Sequence, residues 1–110
     1  MLFRSGFGKT EVAMRAAFAV AISGFQVAVV VPTTLLARQH FKNFSERFKG
    51  LPLVVRQASR FVPAKELTET KKGLADGTVD IVVGTHALLG KSVSIKNLAL
   101  VIVEIGRAHV

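Results

Sequence analysis

Gly6-Phe7-Gly8-Lys9-Thr10 stands directly before an alanine-rich segment of helical spacing. It reads as the second half of a phosphate loop, whose full pattern is glycine, four free residues, then Gly-Lys-Ser/Thr. Counting back puts Phe3 where the first glycine belongs. Glycines let backbone N–H groups close around phosphate oxygens, the N-terminus of the following helix adds partial positive charge, and a lysine ammonium reaches the outer phosphates. The threonine hydroxyl would hold magnesium. Gly6, Gly8, Lys9 and Thr10 are therefore the candidate polyphosphate-binding residues. A loop of this kind also needs a carboxylate at the end of another strand to hold the metal and position water. The two aspartates, Asp76 and Asp80, fall in a turn and at the beginning of a strand, and Glu104 is the acidic residue that directly follows an apolar run. Imidazole is a common acid and base near neutrality, but His40 and His86 have no partner carboxylate or nucleophile at a meaningful spacing, so the first reads as packed and the second as shaping a loop.

Positioning such a loop takes a strand before it and a helix after it. Lys9 to Ile22 reads as that helix, with Val12, Ala16, Ala17, Val20 and Ala21 at threes and fours and Ser23-Gly24 as the stop. Phe25 to Val31 is β-branched, apolar and closed by Pro32, as expected of a parallel strand buried on both faces. A second helix begins at Thr33, a capping residue, and runs to Gly50; Ala37, Phe41, Phe44 and Phe48 form its core stripe. Pro52 to Gln57 is a short strand, Ala64 to Leu74 a third helix, and Val79 to Val83 and Leu98 to Val103 two more strands. Strands separated by helices signal βαβ units and a parallel sheet covered on both sides. The chain starts at a helix in this reading, so the strand that should precede it is expected to be missing.

Met1 to Ser5 and Glu104 to Val110 continue neither pattern. If the first segment is written GTG-CTC-TTC-CGA-TCT, its reverse complement lies inside GAG-ATC-GGA-AGA-GCA-CAC-GTC, which encodes the second. Both ends are accordingly expected to be non-native tails, leaving 6–103 as the part to interpret. That part keeps 13 basic residues against 6 acidic, a charge of +7 beside +8 for the whole chain. A basic surface of this size suits polyphosphate and nucleic-acid backbone, whose counterions are released on neutralisation. Half the 110 residues are hydrophobic, which excludes a disordered tail. No cysteine is present, which excludes a disulfide framework and a thiolate site and suits the cytoplasm. Apolar stretches such as Val27 to Val31 are far too short to span a bilayer, so no membrane partner is expected.

The stretches GFGKTEVAMRAAF at 6–18, VAVVVPTTLLARQHF at 27–41, QASRFVPAKE at 57–66 and GLADGTVDIVVGTHALLGKSVSIKNLALVIV at 73–103 resemble the first motor domain of superfamily 2 DNA translocases and helicases. The likeness leans toward the branch of the bacterial transcription-repair coupling factors, with the RecG-type branch-migration helicases next. The resemblance implies an α/β, RecA-like P-loop NTPase domain with a parallel sheet and helices on both faces, present in part. It also implies ATP and Mg2+ as cofactors at Gly6, Gly8, Lys9 and Thr10. Double-stranded DNA would be held through its backbone by Thr33, Thr34 and Gln39, by Ser59 and Arg60, and by Gly84, Thr85 and His86. RNA polymerase would be reached through other domains of a longer protein.

The departures from that family are as definite as the matches. Phe3-Arg4-Ser5 stands where members carry Gly-Asp-Val, and Glu104-Ile105-Gly106-Arg107 stands in place of an Asp-Glu-Glu-Gln-type metal and water-activating motif. No catalytic residue is therefore assigned, and the chain alone is expected to show no appreciable ATPase. Two readings of other classes stay open. A P-loop kinase or phosphotransferase shares the Gly-Lys-Thr start, and a non-catalytic DNA-binding module needs only the basic surface.

Overall fold

The computed structural model describes residues 2–5, 10–60, 62–90 and 93–104. Five strands and three helices alternate: β1 (Leu2–Ser5), α1 (Thr10–Ile22), β2 (Gln26–Val30), α2 (Thr34–Arg47), β3 (Val55–Ala58), α3 (Ala64–Asp76), β4 (Ile81–Gly84) and β5 (Leu98–Glu104), with a 3-10 turn at His86–Leu89. All strands are parallel, in the order β1-β5-β2-β4-β3. Parallel neighbours need crossovers, and the helices supply them.

The strand sequences explain the layering. Every residue of β2 is buried, and alternate side chains enter opposite cores. Val27, Val29 and Val31 join Ile81, Val83, Leu100 and Ile102 beneath α1 and α2. Ala28 and Val30 join Val82, Leu74 of α3 and Leu88 of the 3-10 turn on the other face. The small residues Ala13, Ala17 and Ala21 let α1 lie close to the sheet. The expected stripe on α2 is the packed one: Ala37, Phe44 and Phe48 are buried, Phe41 is partly so, and the Phe44 and Phe48 rings meet edge to face at 5.9 Å. Thr33 caps α2, with extended backbone and its Oγ1 accepting from Leu36 N at 3.1 Å. Gly77 ends α3 with φ of 90°, a left-handed turn that glycine reaches without a Cβ clash.

Several expectations are corrected. A strand does precede α1: Leu2–Ser5 lies alongside β5, Leu2 opposite Val101 and Ser5 opposite Glu104. A β5 edge offers main-chain donors and acceptors to any extended segment, so pairing does not require the buried-strand pattern that the sequence lacks there. The strand expected at Pro52–Gln57 begins only at Val55, because Leu53 N turns back to Leu51 O at 2.8 Å and Val54 N is taken by Asp80 Oδ2 at 2.7 Å. That contact also gives Asp80 a structural use. The strand expected from Val79 starts at Ile81, since Val79 N bonds to Gly73 O at the end of α3.

Gln26 ties the lower end of the sheet together. It is almost wholly buried; its Nε2 donates to Leu74 O at 3.1 Å and Val79 O at 2.8 Å, while its Oε1 accepts from Asn97 N at 2.7 Å. One side chain thus joins β2 to the end of α3 and to the approaches of β4 and β5.

Candidate functional site

In a parallel sheet all strand C-termini open on one edge, and ligands bind there. Two neighbourhoods form along this edge. At the first, β1 ends at Ser5 opposite Glu104, the end of β5, and α1 starts at Thr10. A strand end and a helix start separated by four residues are the elements that flank a phosphate loop, and a carboxylate stands at the end of the adjacent strand. Gly6, Gly8 and Lys9 lie outside the described residues, as does the Thr10 side chain.

Glu104 is buried, and its Oε2 stands 3.5 Å from His40 Nε2. His40 Nδ1 lies 2.9 Å from Leu36 O, so Nδ1 carries a proton and the ring is aimed from α2 toward the strand end. The reading of His40 as lacking a partner carboxylate is therefore corrected. Sixty-odd residues of chain separate the pair, and only the fold brings α2 and the end of β5 together.

The second neighbourhood is a cleft of about 690 Å³. Pro32, Thr33 and Thr34 enter it from the end of β2, Ala58, Ser59 and Arg60 from the end of β3, and Thr85, His86, Ala87 and Leu88 from the end of β4. These three strands are adjacent in the sheet, which is why three motifs far apart in the chain share one wall. Of the nucleic-acid-facing candidates, Thr33, Thr34, Ser59, Arg60, Thr85 and His86 line the cleft. Gln39 does not; it sits exposed further along α2. Gly84 acts beneath the surface, because a Cβ there would stand 2.5 Å from Ala58 O and would separate β3 from β4. Leu67 and Lys71 of α3 also line the cleft, and their spacing of four puts them on one helix face. Sequence reading missed both, although Lys71 was visible as a cation at helical register with the end of the preceding loop.

The electrostatics are one-sided. Arg60 and Lys71 face the cleft with His86, and among the described residues no carboxylate lines it. The Ser59 hydroxyl is buried and accepts from Gln57 Nε2 at 2.8 Å, which fixes the loop that presents Arg60. Hydroxyls and two cations suit the oxygens of a phosphodiester chain. Behind the cleft, Arg47 of α2 forks onto Glu11 of α1, with Nη1 to Oε1 at 2.7 Å, and Arg15 adds a contact at 3.2 Å. Bonding to these guanidiniums, Arg47 first, holds the Glu11 carboxyl down at about 2 and pushes Arg47 up. Among the described residues no group of three or more His, Asp or Glu is placed to hold a metal ion by itself, and no helix is long and apolar enough to cross a membrane.

An all-parallel α/β sheet with a nucleotide-type strand, loop and helix at one end and a cationic, hydroxyl-lined cleft beside it is the plan of a helicase motor domain. The chain belongs to the DEAD/DEAH box helicase family, whose profile matches residues 2–104. It is 56% identical over 99 residues to the transcription-repair-coupling factor of Staphylococcus epidermidis and 54% identical to those of Bacillus subtilis and Haemophilus influenzae. Each match takes in 90% of this chain and only 8–9% of the relative. Among solved structures it is similar to RecG bound to a three-way DNA junction, with a TM-score of 0.83 and 31% identity over 96% of this chain and 17% of that one.

Proposed function

We infer that the chain is part of the first motor domain of an ATP-dependent double-stranded-DNA translocase acting in transcription-coupled repair. The observation that carries this reading is the gathering of Thr33, Thr34, Ser59, Arg60, Thr85 and His86, from three separate loops, around one cleft that no carboxylate lines among the described residues. In the parent protein the cleft would hold the DNA backbone, and ATP with Mg2+ would sit beside it at Gly6, Gly8, Lys9 and Thr10. Bound nucleotide supplies the free energy for stepping when its outer phosphate is released. The chain's own share is to hold: Lys9 would offset phosphate charge, Thr10 would supply a hydroxyl to the magnesium, and the cleft would grip backbone oxygens without reading sequence. RNA polymerase would be engaged by other parts of a parent located in the cytoplasm. The identity to coupling factors over almost all of this chain favours that parent over a RecG-type helicase.

The test is binding of a short DNA duplex, followed by fluorescence anisotropy across a salt series. Affinity should fall steeply with salt and be alike for unrelated sequences, and Arg60→Ala should reduce the slope of log K against log salt by about 1. Salt-insensitive binding, or an unchanged slope in Arg60→Ala, defeats the cleft assignment. Titration with Mg·ATP is a separate arm: Lys9→Ala should lose nucleotide affinity while DNA binding persists.

A further inference from the structure

The far edge of the sheet carries chemistry that neither the nucleotide edge nor the DNA cleft uses. β3 pairs with β4 on one side only. With Val55 opposite Ile81, and Ile81 N–H donating to Val54 O, the main-chain groups of residues 54, 56 and 58 turn to β4 and those of Val55 and Gln57 turn outward. Arg56 Nη1 covers the outward carbonyl of Val55 at 3.1 Å. The N–H of Val55 and both main-chain groups of Gln57 are left as a short template for another strand.

Beside this edge, between α2 and α3, lies a cavity of about 410 Å³. Phe41 gives it an apolar wall, Glu66, Glu69 and Thr70 line it from one face of α3, and Arg56 and Gln57 line it from β3, the Arg56 guanidinium being spent on Val55 O rather than on either carboxylate. Thr70 is 97% buried, and its hydroxyl has no hydrogen-bond partner among the described residues. A buried hydroxyl without a partner is costly unless something completes it. Neither Glu66 nor Glu69 forms an ion pair among the described residues, although the chain holds 15 basic residues and only 7 acidic ones. An apolar wall, two unspent carboxylates and an unmatched hydroxyl together fit a long aliphatic stem ending in a cation.

We propose that the β3 edge and its cavity form a docking site for an extended polypeptide segment bearing a lysine or arginine. The segment's main chain pairs with Val55 and Gln57, and the basic side chain enters along Phe41 to reach Glu66, Glu69 and the Thr70 hydroxyl. A free polyamine would satisfy the carboxylates but leave the strand edge unused, so the two halves of the site together select a peptide. The site adjoins the DNA cleft along β3 and α3 but takes different groups, the main chain of Val55 and Gln57 and another face of α3, and it is independent of the motor reading.

The test uses the 15N-labelled 110-residue chain with acetyl-Thr-Val-Lys-Val-Thr-amide as the probe, a glutamine-for-lysine version, and spermidine. Amide shifts should concentrate on residues 55–57 and Thr70. The glutamine peptide should bind about tenfold more weakly or worse, the factor one charge-assisted hydrogen bond supplies. The exposed-face double variant Glu66→Gln/Glu69→Gln should lose the preference for lysine, and Thr70→Val, close in shape, should weaken the lysine peptide; native dispersion of each spectrum shows the fold is kept. Shifts centred elsewhere, equal binding of the two peptides, no binding at millimolar peptide, or spermidine binding as tightly at the same residues would each overturn the proposal.

Discussion

Replacing Gln26 by leucine keeps the volume and shape of the side chain and removes all of its polar atoms. Three main-chain groups are involved, but they do not suffer equally. Leu74 O keeps a second donor, Lys96 N at 3.0 Å, whereas the buried Val79 O and the partly buried Asn97 N lose the one side-chain partner each has among the described residues. Each orphaned group costs about 1–3 kcal/mol, so with a partial offset from added apolar surface the net loss should be about 3 kcal/mol. For a domain of roughly this size each kcal/mol lowers Tm by about 4–8 °C, giving a fall of about 12–24 °C. Urea and thermal denaturation followed by far-ultraviolet circular dichroism measure it, with the urea m value unchanged if the folded state is otherwise intact. A Gln26→Leu variant within about 0.5 kcal/mol of the wild type, the range of an ordinary surface change, would refute the account of the corner as a three-way clamp.

Gly84→Ala should destabilise by about 1–3 kcal/mol through overpacking against Ala58 O, and should weaken duplex binding further by moving the loop that carries Arg60; unchanged stability would mean β3 yields freely. Thr33→Ala should cost about 1 kcal/mol from the lost cap, measurable by urea denaturation, while Thr33→Ser should recover most of it. Glu11 has its folded pKa depressed from 4.5 to about 2, so its contribution is present above the unfolded value and lost as pH falls from 4.5 toward 2. Glu11→Gln should flatten the stability profile in that window and leave it unaltered in shape near neutrality; an identical acid limb in both proteins contradicts the Arg47 fork.

Much of the fold was legible because its strongest elements obey local rules. The β-branched run Val27–Val31, closed by Pro32, reads as a strand buried on both faces, and the helical spacing of the phenylalanines of α2 favours a core stripe over base stacking, with Thr33 at its head. The separate motifs at Pro32, Ser59 and Gly84 were legible through the family resemblance and not through spacing or composition; that they share one cleft was not legible. Hidden were the features that depend on tertiary neighbours. β1 pairs through its main chain, which carries no pattern; His40 meets Glu104 only after β5 is inserted; Gln26 begins a strand whose alternation says apolar, and its partners lie 48 to 71 residues away. Lys71 and Leu67 looked like an ordinary solvated face of α3 until the sheet placed them over a cleft.

The sheet order has a consequence for how the molecule comes into being on the ribosome. β5 emerges after every other strand described, yet its place is between β1 and β2, among the first to emerge. Until its seven residues arrive, no neighbour joins the two sides, and an apolar slot stands open in the middle of the nascent sheet. Synthesis must therefore run nearly to the end of this segment before its hydrophobic centre can close, and a pause before Leu98 is the moment at which the growing protein most needs shelter from aggregation.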